Sequence, residues 1–217
     1  MKIKELHLLS NDLIETEKFY NTILDIPTYK KAENEIVFAF GETLLFFKKT
    51  EANSQYHIAF DIPNNQLEEA YTWLKSRIEI LPVLEKSPFA DFESWNAKSF
   101  YFYDNNSNLL EFIVRYDLDN RSENTFNSSS ILYASEIGIV TDDVPSLAKK
   151  LQENYSLSVY YKQPPQENFI ALGDETGLLI IVNQNRNWFP TDKKAIPFPS
   201  RIIFDTENRQ NLELTIE

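Results

Sequence analysis

Glu136-Ile137-Gly138-Ile139-Val140-Thr141-Asp142-Asp143-Val144 repeats the plan of Glu5-Leu6-His7-Leu8-Leu9-Ser10-Asn11-Asp12-Leu13. Each stretch reads as a strand and closes on a polar pair that can cap a helix. The likeness runs on down the chain. Phe169-Ile170-Ala171-Leu172-Gly173 parallels Val37-Phe38-Ala39-Phe40-Gly41, and Leu178–Asn183 matches the strand after Gly41. Arg201-Ile202-Ile203-Phe204-Asp205 parallels His57-Ile58-Ala59-Phe60-Asp61. Repetition on this scale makes the chain a series of related strand-helix-strand-strand-strand units.

The first unit has a strand over Lys4–Ser10 and an amphipathic helix over Asp12–Leu24. The helix is read from Leu13-Ile14, Phe19-Tyr20 and Ile23-Leu24, and Pro27 blocks its extension. Strands follow at Thr28–Lys31, Glu35–Phe40 and Thr43–Lys48, with a turn at Gly41-Glu42. The second unit has a strand over Tyr56–Ile62 and a helix near Gln66–Arg77, with Trp73 as a packing residue. Its later strands lie near Ile80–Glu85, Lys98–Tyr103 and Leu109–Arg115, the last two joined by the polar turn Asp104–Asn108. Residues 117–130 are rich in Asn and Ser and read as a linker. Pro190, Pro197 and Pro199 mark an irregular loop before the last repeated strand. The expected class is α+β, with repeated βαβββ units forming a U-shaped, cupped mixed sheet. Residues 1–116 would form a complete two-unit domain, 117–131 a linker, and 132–217 a degenerate, truncated second domain.

Composition narrows the chemistry. The chain has 217 residues, enough for a substantial core, and no cysteine, which removes disulfides, thiolate metal sites and cysteine nucleophiles. Its four glycines include no phosphate-cradling loop motif. A net charge of −12 repels nucleic acid, and the lysine pairs 30–31, 48–49 and 193–194 read as solvated edges. Met1–Leu6 reads as a strand rather than a leader, and no apolar run nears the roughly 20 residues of a membrane helix. The expectation is a cytoplasmic protein with a small-molecule substrate or ligand and no nucleic-acid or membrane partner.

Only His7 and His57 are histidines. They hold matching places in the first strands of units one and two. Strand alternation puts Glu5, His7 and Leu9 on one face, and His57, Ala59 and Asp61 on one face of theirs. Glu111 shares a face with Leu109, Ile113 and Arg115 in an otherwise apolar strand, where a carboxylate is costly to bury without a partner. Two imidazoles and a carboxylate converging in a cup, with positions left open, would suit a catalytic divalent metal. The plain alternative is two hydrogen-bonded histidines and a solvated glutamate.

At this point the first 115 or so residues resemble the vicinal oxygen chelate superfamily of glyoxalase I, bleomycin-resistance proteins, fosfomycin-resistance thiol transferases and extradiol dioxygenases. The matching stretches are Leu6-His7-Leu8 with Glu17-Lys18-Phe19-Tyr20, Tyr56–Phe60, Ser99–Asp104 and Asn108–Phe112. The resemblance implies paired βαβββ units curled around a divalent metal (Mn, Fe, Ni or Zn) held by His7, His57 and Glu111. It also implies Tyr101 as proton donor or orienting group, with Tyr103 and Arg115 towards substrate; Trp95 is expected to meet substrate from the loop Ser87–Trp95. Glyoxalase I adds a fourth ligand from the strand here spanning Thr43–Lys48, which offers none, so that activity is disfavoured. Extradiol dioxygenases usually use a further histidine, for which Tyr101 or Tyr103 would have to substitute. The thiol transferases match the ligand set and Tyr101, with Lys98, Ser99 and Arg115 as loose counterparts of their anion site and Leu9 where a hydroxyl is expected.

Three functions remain open. The first is a metal-dependent lyase, isomerase or thiol transferase on a small oxygen-chelating substrate. The others are a metal-free binding protein of the bleomycin-resistance kind and an extradiol-type dioxygenase. The third unit carries Gly138 at the His7 position and Arg201 at the His57 position, and so reads as having lost its ligands. Arg201 is a surface residue or an anion anchor over a second cavity. Phe89, Phe92 and Trp95 line a cavity mouth or a plain surface loop. Open strand edges could pair units between the subunits of a homodimer.

Overall fold

The computed structural model describes residues 1–83 and 87–217. Unit one begins with β1 (Lys2–Ser10), and Asp12 starts the helix that follows. The Asp12 carboxylate accepts from the Ile14 and Glu15 N–H groups, both at 3.0 Å, which satisfies two donors that a helix start leaves orphaned. The helix α1 (Leu13–Lys18) widens into a π-type turn over Phe19–Ile23, so the expected 12–24 segment is helical in two forms. Tyr20 is buried in that turn and donates to Asp104 at 3.0 Å, tying the helix to the polar 104–108 turn. Then come β2 (Thr28–Ala32), β3 (Glu35–Phe40) and β4 (Thr43–Lys49).

Unit two contributes β5 (His57–Asp61), α2 (Leu67–Lys75), β6 (Ala90–Phe92), β7 (Ala97–Tyr103) and β8 (Leu109–Arg115). The strand expected over Ile80–Glu85 is a single bridge, Leu81 to Tyr101, and its last two residues lie outside the described ones. β6, in a stretch read as loop, takes its place on the edge of β7. Unit three has β9 (Tyr133–Thr141), α3 (Val144–Tyr155), β10 (Phe169–Asp174) and β11 (Gly177–Asn183), and β12 (Ser200–Asp205) and β13 (Leu212–Ile216) complete the chain's strands.

Each leading strand lies parallel to the last strand of its own unit: β1 to β4, β5 to β8 and β9 to β11. That leaves the other edge of every leading strand unpaired, and an open edge seeks another strand. β5 is closed by β9, antiparallel, and β1 by β12, antiparallel. Two mixed sheets result, ordered β13-β12-β1-β4-β3-β2 and β10-β11-β9-β5-β8-β7-β6. The expected division placed units one and two in one sheet. The pairing instead joins unit two to unit three, and unit one to the C-terminal strands. The leading strands are alike in pattern, so the pattern alone does not choose between these partners.

The 117–130 segment explains the choice physically. It is ordered along α2 rather than acting as a loose tether. Asn64 donates to the Leu118 carbonyl and Gln66 to that of Asn124, both at 2.6 Å. Phe126 is buried against Trp73 and Phe112, at 5.5 and 6.3 Å between ring centroids. The Leu132 N–H donates to the Asp61 carbonyl at 2.9 Å, which delivers β9 to the edge of β5. Gly41 has φ +51° in the β3–β4 turn, and a Cβ there would lie 1.8 Å from the Leu132 carbonyl oxygen. Only glycine lets that turn touch the end of the linker.

The largest core cluster, mostly Phe, Leu and Ile, holds Phe38, Phe40, Phe47, Phe60, Phe100, Phe102 and Phe112, all fully buried. Each such side chain contributes about 1.5–3 kcal/mol by leaving water. β8 is buried along its whole length. Its two charged residues, Glu111 and Arg115, must therefore be compensated inside the protein. No helix among the described residues is long and apolar enough to cross a membrane.

Candidate metal centre and its cavity

Register builds the centre. Ala59 in β5 stands opposite Glu111 on one side, in β8, and opposite Glu136 on the other, in β9. Tyr101 in β7 stands opposite Glu111 in turn. One rung across four strands thus reads Tyr101, Glu111, Ala59, Glu136. Ala59 is small, so the flanking carboxylates approach over it. His57, two residues earlier on the same face of β5, closes the group. One ligand atom each from His57, Glu111 and Glu136 lie within 4.8 Å of one another, and all three residues are buried.

His57 Nδ1 lies 3.2 Å from the Leu109 carbonyl oxygen. Donation to that oxygen fixes the tautomer and leaves Nε2 as an acceptor, 3.5 Å from Glu111 Oε2. Burial pushes the His57 pKa down to about 4, against the Leu109 hydrogen bond, so the ring is neutral at pH 7. Burial raises both Glu111 and Glu136 above the ordinary carboxylate range. The Glu136 charge raises Glu111 further, while Arg115 opposes the shift of Glu136. Tyr101 is pushed well above 10, by burial first and the Glu111 charge second, so its phenol keeps its proton.

Beneath this group lies a buried ion network. Arg115 is fully buried and forms ion pairs with Asp61 through one terminal nitrogen and with Glu136 through the other. It also donates to Ser135 at 3.2 Å. Burial disfavours its charge, but Asp61 and then Glu136 outweigh that and hold it above its usual pKa. Fully ionised, Asp61, Glu111 and Glu136 against one guanidinium leave two negative charges uncompensated. Two acids and a neutral imidazole around a net charge of −2 suit a divalent cation: the donors are metal ligands, the charge balances, and Arg115 occupies only one oxygen of Glu136.

The group opens on a cavity of about 300 Å³ lined by His57, Tyr101, Glu111 and Glu136 on one side and by Phe92, Trp95, Phe169, Trp188 and Phe189 on the others. Trp95 Nε1 donates to Gln163 Oε1 at 3.2 Å, fixing one aromatic wall. A further part of the wall comes from the segment read as an irregular loop. There Trp188 packs 5.1 Å from the His57 ring, in space that Gly138 leaves open. A Cβ on Gly138 would stand 2.4 Å from Trp188. Gly138→Ala is therefore expected to displace the indole and cost about 1–3 kcal/mol, as overpacking does. Urea unfolding measures the loss, and a shifted tryptophan emission reports the displacement.

The expected site residues separate. His57 and Glu111 come together, with Tyr101 beside them and Trp95 in the cavity wall. His7 does not join them. It lies in the six-stranded sheet, stacked on Phe46 at 4.0 Å, with its Nε2 2.7 Å from Glu5 and 2.8 Å from Arg201. The reason is the strand exchange: β9, not β1, lies beside β5. Glu136 stands in its place, from the unit read as having lost its ligands, two residues before the Gly138 position and on the same face. A carboxylate within Ser135-Glu136-Ile137-Gly138-Ile139, as costly to bury as Glu111, was the available signal. Arg115 lies under the centre in ion pairs and does not line the cavity. Tyr103 lies at the end of β7 with Lys193 Nζ 4.0 Å over its ring, also outside the cavity. Phe89 packs on Tyr71 and Phe100, while Phe92 does line the cavity.

No family model and no curated protein matches the chain by sequence. Solved structures match it by shape. A putative dioxygenase from Bacillus subtilis superposes with a TM-score of 0.62 at 13% identity, over 84% of this chain and 63% of that one. A glyoxalase I mutant from Zea mays gives 0.60 at 14% identity, over 84% and 68%. The chain thus spans somewhat under two thirds of the Bacillus protein. At such identities it is the architecture that is shared: curled mixed sheets built from repeated units. The chain has a glyoxalase-like fold.

Proposed function

We propose that this protein is a divalent-metal-dependent enzyme acting on a small oxygen-chelating substrate, of lyase, isomerase or thiol-transferase type. The observation that carries the reading is the buried His57–Glu111–Glu136 group, two carboxyls and an imidazole opening on an aromatic cavity. A bound divalent ion would act there as a Lewis acid on two adjacent substrate oxygens. Among manganese, iron, nickel and zinc, a set with two carboxylates favours the harder ions, manganese above all. His57 offers a lone pair because Leu109 holds its proton on Nδ1. Arg115 aims Glu136 by holding one of its oxygens. Tyr101, kept protonated, donates a hydrogen bond or a proton to the substrate beside Glu111. The aromatic walls exclude water and hold a planar group.

The dioxygenase alternative calls for two histidines and a glutamate at one centre. Among the described residues the cluster has one histidine. The metal-free alternative keeps the aromatic cavity as a ligand trap. Manganese titration of chelator-treated protein, followed by electron paramagnetic resonance, separates it from the enzyme reading. The expected result is one ion per chain, with affinity rising from pH 5 to pH 8. The sign follows from the raised carboxylate pKa values: protons compete with the metal until they leave, nearer neutrality than usual. Absence of binding throughout that range, with zinc, nickel and ferrous iron as well, overturns the enzyme reading.

A further inference from the structure

We infer that Arg186 is the anchor for an anionic group, and that the cavity takes a small planar carboxylate whose carboxylate points away from the acidic floor. This rests on the proposed metal site only for the placement of the substrate's other end.

Arg186 lines the same cavity as His57, Glu111 and Glu136. Its guanidinium lies 4.6 Å over the Phe169 ring. Stacking uses the face of the guanidinium and leaves the N–H donors at its edge free. Among the described residues no carboxylate lies within ion-pair reach of it. Arg115, by contrast, has two such partners and Arg201 has Glu213 at 3.4 Å. Half-burial lowers the Arg186 pKa with no neighbouring charge to offset it. A guanidinium partly withdrawn from water and left without a counter-charge is a recognition group awaiting an anion.

Its position is set by backbone. The Arg186 N–H donates to the Asn183 carbonyl and its own carbonyl accepts from Ala195, both at 2.9 Å. Trp188 N–H donates to Lys193 at 2.9 Å, so 186–195 is a hydrogen-bonded ribbon rather than a free loop. One ribbon thus presents the cation and two aromatic walls, Trp188 and Phe189.

The ligand class follows from charge and size. Glu111 and Glu136 repel a carboxylate from the floor, and the chain's net charge of −12 disfavours anions generally. Among the described residues Arg186 is the one lysine or arginine lining the cavity, and it is there that a carboxylate finds an offset to that field. About 300 Å³ is at the lower end for ligand pockets, which suits a one-ring compound between aromatic walls.

The test is a fluorescence titration of the full chain, read from the cavity tryptophans Trp95 and Trp188. Benzoate and benzamide are compared on chelator-treated protein, and 3,4-dihydroxybenzoate and 3,4-dihydroxybenzamide on zinc-loaded protein. In both pairs the carboxylate is expected to bind about 10- to 100-fold tighter than the amide, the range of a charge-assisted hydrogen-bonded pair. In Arg186→Gln the ratio should fall to about one. Arg186→Lys should keep part of the preference, because it keeps the charge but loses the fork. Wild-type protein with no carboxylate preference, or a preference that survives Arg186→Gln, overturns the anchor. A benzoate preference in a protein that takes up no metal supports the anchor while the metal reading fails. Metal uptake without that preference does the reverse.

Discussion

Glu136→Gln is expected to weaken manganese binding by more than about 100-fold, while His7→Ala leaves it unchanged. Residues that merely support metal ligands cost about 10–100-fold when lost, so a direct ligand should cost more. Glutamine keeps the shape of Glu136 and an oxygen for Arg115, so the loss would report charge and coordination rather than collapse of the ion network. Equilibrium dialysis with manganese measures both variants. The opposite pattern, binding lost in His7→Ala and kept in Glu136→Gln, would remove Glu136 from the ligand set. It would mean that His7 reaches a centre in another copy of the chain. A second readout needs no metal. Glu111 has its pKa raised by burial and by Glu136, so its charge opposes folding above the ordinary carboxylate range. Metal-free Glu111→Gln should therefore melt above the wild type at pH 8, and the gap should close towards pH 5 as the wild-type carboxyl takes up its proton. A gap that stays constant with pH would show that Glu111 carries no such penalty.

Much of this was legible in the residues, for physical reasons that also set the boundary. Alternation and capping at Lys4–Asp12 and Glu136–Asp143 report strands and helix starts, because side-chain period and the Asp12 cap are local properties. His57 and Glu111 could be paired for the same reason: they lie on neighbouring strands of one unit, and a parallel ladder fixes which faces meet. Which leading strands pair across units is a different kind of fact. β1, β5, β9 and β12 all present similar apolar patterns and open edges. The choice is made by Phe126, the Asn64 and Gln66 hydrogen bonds and the close approach of Gly41 to Leu132, none of which has a periodic signature. The misplacement of His7 follows from that alone. Arg186 and Trp188 escaped for a related reason. A proline-rich ribbon held by a few backbone hydrogen bonds looks, residue by residue, like any loop.

Arg115→Met is expected to destabilise the protein by about 3–5 kcal/mol at pH 8, because breaking a buried ion network leaves its remaining charges without compensation. The side chain is fully buried, and methionine fills most of its volume, so little of the loss should come from a cavity. The charges left behind are Asp61 and Glu136, both already pushed upward by burial, with Arg115 the principal group opposing it. Without the guanidinium their folded pKa values rise further. A carboxyl whose folded pKa exceeds its unfolded value weakens folding above the unfolded pKa, and the penalty fades as falling pH protonates it in the folded state. The deficit of Arg115→Met relative to the wild type should therefore be largest at pH 8 and smaller at pH 5, measured from urea midpoints at the two values. Equal deficits would show that the arginine acts by packing alone. Adding Asp61→Asn to Arg115→Met should recover part of the loss at pH 8, since it removes one of the stranded charges, and should recover little at pH 5. The same arithmetic bears on function. With the arginine present, the network keeps Glu136 aimed, and once its carboxyls are ionised it carries a net charge of −2 in a buried site. That charge opposes folding in the metal-free protein and favours a divalent ion when one is supplied. Arg115 thus stabilises the fold enough to tolerate a pair of carboxylates that a purely structural core would have no reason to contain.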